Sequence, residues 1–207
     1  MAEQVTELAP AVSLRDRLKE ETRQIIVEAF AACLADSEVD KITFADVAAR
    51  AGVGERTVYR HFATREELLR ALYVWLSRQT NPDGFLPDEE TALITRLRDF
   101  FVRFDAYASV MKAAVITPQG YEMRRAAAGE RDAAFRAAVA DAVRELPESE
   151  RVGVAAMVQH IHSAGAWLSL RDWGLSGEEA ARVCTWAIAA LLRDARARKG
   201  PLGPDEP

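Results

Sequence analysis

Seven consecutive residues, Glu55 to His61, hold the densest set of hydrogen-bond donors in this sequence: Arg56, Thr57, Tyr59, Arg60 and His61. At about 100° per residue, Val58 and Phe62 fall together on a helical wheel, so both face inward. Arg56, Thr57 and Arg60 fall on the opposite side, with Tyr59 on one edge and His61 on the other. Two guanidinium groups, a hydroxyl, a phenol and an imidazole at the start of a short helix donate hydrogen bonds rather than break bonds. That chemistry suits phosphate oxygens and base edges. Other chemistry is not legible. The chain has no G-x-S-x-G, H-E-x-x-H or G-x-x-x-x-G-K-[ST] run. Gly52-Val53-Gly54 is a fragment of a phosphate loop with no strand before it. His160 and His162 lie two apart, so a helix points them in nearly opposite directions and they do not share a metal unaided. The expectation is no enzyme, no catalytic residue, no cofactor and no metal.

The elements that position these donors are read from the flanking residues. Phe44, Val47, Ala48 and Ala51 recur at i, i+3, i+4 and i+7 and make one apolar helix face. Thr43 caps that helix, Asp46 sits in its first turn, and Gly52 ends it with a backbone that needs no Cβ. Gly54 caps the second helix, and Val53 and Val58 are placed as a hydrophobic staple. A helix, a glycine turn and a donor-rich second helix form a helix-turn-helix. Thr64-x-x-Glu67 reads as a capping box for a further helix to about Gln79, with Leu68, Leu72, Trp75 and Leu76 inward. Its start, with Arg65, lies close in sequence to the donor-rich helix. Upstream, Ser13 to about Ala35 is a long amphipathic helix with Leu14, Leu18, Ile25, Ile26, Ala29, Phe30 and Cys33 as its inner stripe. Arg15, Arg17, Lys19 and Arg23 crowd its first half, either as a solvated face or as phosphate contacts.

The run from Thr43 to Leu72 resembles the DNA-binding region of the tetracycline-repressor (TetR) family. The matching pieces are Thr43-Phe44-Ala45-Asp46-Val47-Ala48, Ala51-Gly52-Val53, Thr57-Val58-Tyr59-Arg60-His61-Phe62 and Thr64-Arg65-Glu66-Glu67-Leu68-Leu69. Many members carry a serine where Gly54 stands, and glycine offers no hydroxyl there. The resemblance implies that the second helix enters the major groove and that Tyr59 and His61 touch phosphates. Helical reading then puts Arg56, Thr57 and Arg60 nearest the bases. Thr43, Arg56, Thr57, Tyr59, Arg60, His61 and Arg65 are the candidate contacts to double-stranded DNA.

The whole chain of 207 residues carries a net charge of −5 and is 49% hydrophobic. Ser13 to Thr80 holds eleven Lys/Arg and eleven Asp/Glu, whereas the remainder is acidic. A DNA-binding surface must therefore be a local basic face. Alanine-rich, glycine-poor runs predict an all-α chain. Cys33 and Cys184 sit in apolar helical patterns and read as core residues of a reducing, cytoplasmic compartment. No apolar run reaches the ~20 residues of a membrane span, and no signal-peptide layout is present.

Asn81 to Pro87, with two prolines and an Asp-Gly pair, is the clearest boundary. It divides a DNA-binding domain at 13–80 from a larger helical domain at 81–199, with disordered tails at 1–12 and 200–207. Asp88 caps a helix to about Tyr107. Another runs from about Ser109 to Ile116, and a third from Gly120 to Leu146 is interrupted near Gly129. Ser149 to Trp173 and a helix opened by the Ser176-x-x-Glu179 box, running to about Arg198, are apolar on two sides and rich in small residues. Such helices need a second partner, in the core or across a dimer interface. The resemblance implies that they pair with their copies in a homodimer, and that the second domain holds a small-molecule effector. Phe104, Tyr121, His162 and Trp167 are its candidate lining residues, although core packing accounts for each of them equally well. The expected function is a dimeric, ligand-responsive regulator, a repressor released from a palindromic operator by a small molecule. The alternatives are a helix-turn-helix regulator answering to a protein partner, and a helical-bundle enzyme.

Overall fold

The computed structural model describes residues 13–198 and 201–202. The expected tail at 1–12 and most of that at 200–207 lie outside the described residues. Among the described residues the chain forms twelve α-helices and one 3-10 turn, with no strand. It divides into two compact units, Met1–Leu68 and Leu69–Pro207.

In the first unit, α1 (Leu14–Asp36) starts at Ser13, whose side chain accepts from the Asp16 N–H. A 3-10 turn at Val39–Lys41 leads to α2 (Phe44–Ala51). Thr43 and Asp46 form a complete capping box there, each side chain accepting from the other's backbone N–H. Gly52 ends α2 at φ 67°, a left-handed conformation that costs glycine nothing. After Val53 and Gly54, α3 (Glu55–His61) begins. Ile26, Phe30, Val47, Val58, Phe62 and Leu68 are buried together as the core of this unit.

The inner stripe expected of α1 holds only in its second half. Ile26, Ala29, Phe30 and Cys33 are buried, but Leu14, Leu18 and Ile25 are exposed. The small core begins at Ile26. Earlier in the helix, Leu18 borders a groove whose other lining residues are polar or charged, among them Arg60 and His61, so it finds no apolar partner there. The expected Thr64–Glu67 box is also half formed. Thr64 Oγ1 accepts from the Glu67 N–H, while the Glu67 carboxylate reaches past Thr64 to the Ala63 N–H. That opens α4 (Arg65–Thr80), and the division between the two units falls inside this helix.

The second unit continues with α5 (Glu90–Thr95), α6 (Leu97–Ala106), α7 (Ala108–Ile116), α8 (Pro118–Ala126) and α9 (Ala128–Val139). It ends with α10 (Glu148–Ile161), α11 (Ala164–Asp172) and α12 (Gly177–Ala197). The last helix opens on a complete Ser176–Glu179 capping box. Helix α12 packs along α6, and α9 against α10. Leu93, Leu97, Phe101, Val158, Ile188 and Leu192 are fully buried.

Three expected helices are broken or shifted. Glu89, not Asp88, caps α5, and the helix expected to reach Tyr107 kinks at Arg96 (φ −92°, ψ −17°). The helix expected over Gly120 to Leu146 starts earlier, at Pro118, which suits the first helical position, and breaks at Ala127 rather than Gly129. The helix expected over Ser149 to Trp173 stops at His162. Ser163 turns extended and accepts from the Ala166 N–H with its side chain, capping α11. Asp105 of α6 holds the segment that follows the Ser163 break. Its carboxylate accepts from Trp167 Nε1 at 3.0 Å, from the Gly177 N–H at 2.6 Å and from Arg171 Nη1 at 2.5 Å. One carboxylate thereby ties α6 to α11 and to the N-terminus of α12, where an acid is favoured. No described helix is long and apolar enough to cross a membrane.

Candidate nucleic-acid interface and effector cavity

Helix α3 holds its donors as the wheel predicts. Val58 and Phe62 are fully buried, and Glu55, Arg56, Tyr59 and Arg60 are exposed. Thr57 is half-buried between them. Arg56 and Arg60 form no ion pair and no hydrogen bond among the described residues, so their guanidinium groups are available to an outside acceptor. Tyr59 leans on Phe44 of α2, ring centroids 4.7 Å apart, which fixes its phenol at the junction of the two helices. Thr43 is exposed, and its hydroxyl donates to Asp46 as part of the cap.

Two arginines do work that sequence reading missed. Arg23, counted among the crowded cations of α1, donates from Nη1 to the His61 carbonyl at 2.9 Å and lies 4.1 Å over the Phe62 ring. A cation at the C-terminus of α3 satisfies an orphan carbonyl and the helix dipole at once. Arg65 is half-buried, and its guanidinium donates to the carbonyls of Val39 and Ile42 while facing the Phe30 ring. Its donors thus hold the segment that leads into Thr43. A carbonyl-rich loop facing an arginine across more than twenty residues leaves no trace in local spacing.

His61 borders a groove of about 500 Å³ with Arg15, Lys19, Thr22 and Arg60. Its Nδ1 is buried without a partner. Burial lowers its pKa, and the cations of Arg60, Lys19 and Arg23 lower it further. The groove thus gathers Arg15, Lys19 and Arg60, with Asp16 as its one acid, from the first half of α1 and the end of α3.

Residues 26–72 match the model of the family described as bacterial regulatory proteins, tetR family. That match spans the helix-turn-helix and parts of its flanking helices, and so makes this segment TetR-like. The family so described is one of bacterial regulatory proteins rather than enzymes. Among solved structures, the chain is similar to a TetR transcriptional regulator from Rhodococcus sp. RHA1, with 20% identity over 84% of this chain and 98% of that one, at a TM-score of 0.49. It is also similar to the TetR family repressor AlkX from Dietzia sp. strain DQ12-45-1b, implicated in biodegradation of n-alkanes. There the identity is 19% over 83% and 95% of the two chains, at a TM-score of 0.40. Both likenesses are distant, and the family assignment rests on residues 26–72. No curated protein matches the chain.

The second unit contains a cavity of about 530 Å³. Phe85, Phe100, Phe104, Met111, Met123 and Phe135 supply most of its apolar wall. Of the four expected lining residues, Phe104 and His162 are there. Tyr121 is not, because its position on α8 turns it to solvent, 57% exposed. Trp167 is not either. It is 1% exposed, and its indole N–H is bound to Asp105 behind the Phe104 ring, 5.8 Å away. His162 meets Phe100 and Phe135 edge-on, at 5.7 and 5.4 Å. Its Nε2 is buried without a partner, and burial lowers its pKa to about 4, so the ring is neutral at physiological pH.

Proposed function

We propose that the chain is a TetR-family regulator, a homodimeric repressor of the cytoplasm released from a palindromic operator by a small molecule bound in the second unit. What carries this reading is one juxtaposition in sequence: a reading helix with unpaired guanidinium groups and a ligand-sized cavity in the same chain. The cavity also speaks against a regulator that senses a protein partner, for which a filled core would be expected. Helix α4 begins in the DNA-binding unit, and its later residues Tyr73, Leu76 and Ser77 line the cavity. A ligand that binds better when α4 is displaced shifts the population away from the DNA-competent state. Dimer half-sites about one helical turn, ~34 Å, apart leave little tolerance for such a displacement.

On the operator, Tyr59 and His61 hold phosphates, with Thr43 at the edge of the surface, while Arg56, Thr57 and Arg60 face the bases. Arg65, committed to Val39 and Ile42, positions the start of α2 for this surface. The test is selection of an operator from a random DNA pool, followed by titrations with Tyr59→Phe, His61→Ala, Arg56→Ala and Arg60→Ala at several salt concentrations. Losing a phosphate contact should weaken binding to all sequences and flatten the log–log salt slope by about one. Losing a base-reading arginine should cost ~1–3 kcal/mol at one operator position. Wild-type affinity and discrimination in all four variants would remove α3 as the reader.

A further inference from the structure

The charged residues that line the cavity are all of one sign. Arg78, Arg124 and Arg131 line it, and no aspartate or glutamate does, in a chain whose net charge is −5. Arg124 donates to the carbonyls of Ala114 and Val115 at the end of α7, and Arg131 donates from Nη2 to the Arg124 carbonyl at 3.0 Å. Carbonyls carry partial charges, so these bonds orient the two guanidinium groups without neutralising them. Neither arginine forms an ion pair among the described residues. Asp132, the acid next in sequence to Arg131, accepts instead from Gln159. Burial lowers the pKa of Arg124, and the neighbouring cation of Arg131 lowers it again; the phenols of Tyr73 and Tyr121 act in the other direction, but no carboxylate does. The lining also includes the rings of Phe85, Phe100, Phe104 and Phe135, and His162 adds a neutral ring with an unpartnered Nε2.

We propose that the effector is an amphipathic monoanion, an apolar body ending in a carboxylate, whose charge is taken by Arg124 and Arg131 and whose body lies against Phe100, Phe104 and Phe135. This rests on the reading of the cavity as the effector site. A carboxylate is the planar acceptor that matches a guanidinium fork, and a charge-assisted bond in a partly enclosed site outweighs one to a neutral hydroxyl. An amine would meet three like charges.

The experiment is calorimetric titration of the full-length chain with two matched sets of probes: decanoate, decanol and decylamine, and biphenyl carboxylate with its primary alcohol and amine. In at least one set the carboxylate should bind about ten-fold or more tighter than the alcohol, and the amine should bind weakest. Arg131→Gln should bring carboxylate and alcohol to near equality, and Arg131→Lys should restore part of the gap. Alcohol or amine binding as tight as the carboxylate overturns the anion inference and leaves the effector site standing. A carboxylate preference untouched by Arg131→Gln overturns the assignment to these arginines. Failure of every probe to bind wild type overturns the effector site and the inference together.

Discussion

At the scale of single residues, the donors of α3 and the histidine of the cavity differ in how far the sequence exposed their roles. Arg56, Tyr59 and Arg60 are read directly, because a seven-residue helix with one buried edge leaves its other positions outward whatever surrounds it. His162 was placed at the cavity by its apolar neighbourhood, but its protonation depends on burial that only packing supplies. That burial makes a sign-definite prediction. The folded pKa, about 4, lies below the ordinary 6.5, so between these values the unfolded chain binds more protons and stability falls as pH falls. The contribution is fully present above pH 6.5. From pH 7 to pH 5 the loss due to this group should be about 2 kcal/mol by linkage. Urea titrations of wild type and His162→Leu should show that slope in the first and its absence in the second. Parallel pH profiles in the two proteins would show that His162 is not the group responsible.

At the scale of elements, capping chemistry was the most transferable signal. Thr43–Asp46 and Ser176–Glu179 close as reciprocal boxes, because both partners lie within one turn and need nothing from elsewhere. Breaks inside helices were less legible. Arg96, Ala127 and Ser163 interrupt helices that apolar periodicity reads as continuous. Gly120 shows how close such contacts come. A Cβ there would stand 1.9 Å from the Ala114 carbonyl oxygen, at the join between α7 and α8. Alanine is worth roughly 1 kcal/mol over glycine in an open helix, whereas overpacking against backbone costs about 1–3 kcal/mol. The clash should win, so Gly120→Ala should lower the urea midpoint with an unchanged m-value. A midpoint at or above wild type would mean that the two helices can part at no cost.

At the scale of the whole molecule, α12 separates two roles that its sequence leaves mixed. Ile188 is fully buried in the subunit, whereas Trp186 is 69% exposed, with Val183 exposed beside it. Exposed tryptophan and valine on a long helix are what a homodimer interface requires, and a stable one should bury well over ~1,000 Å² in total. Trp186→Glu should therefore give a monomer with native helicity by light scattering and circular dichroism, and with reduced operator affinity. Ile188→Glu should lose helicity, because it buries a charge without a partner. A Trp186→Glu protein that remains a dimer would move the interface elsewhere.

The sequence alone determined the helical class, the helix-turn-helix and the outward face of α3, because each follows from contacts within a few residues along the chain. It also placed a turn at Asn81 to Pro87, where Asn81 holds both backbone groups of Phe85 with its side-chain amide. What only the tertiary structure decided involves partners far apart in the chain. Arg65 serves Val39 and Ile42, Arg23 serves His61, and Asp105 gathers Trp167, Arg171 and Gly177. Trp167 and Tyr121 have the composition of lining residues, yet one is sealed in the core and the other faces solvent, since periodicity names a face and not its neighbour. The concentration of three arginines around one cavity belongs to this second kind. In sequence they are scattered over α4, α8 and α9, and only folding brings them around one cavity.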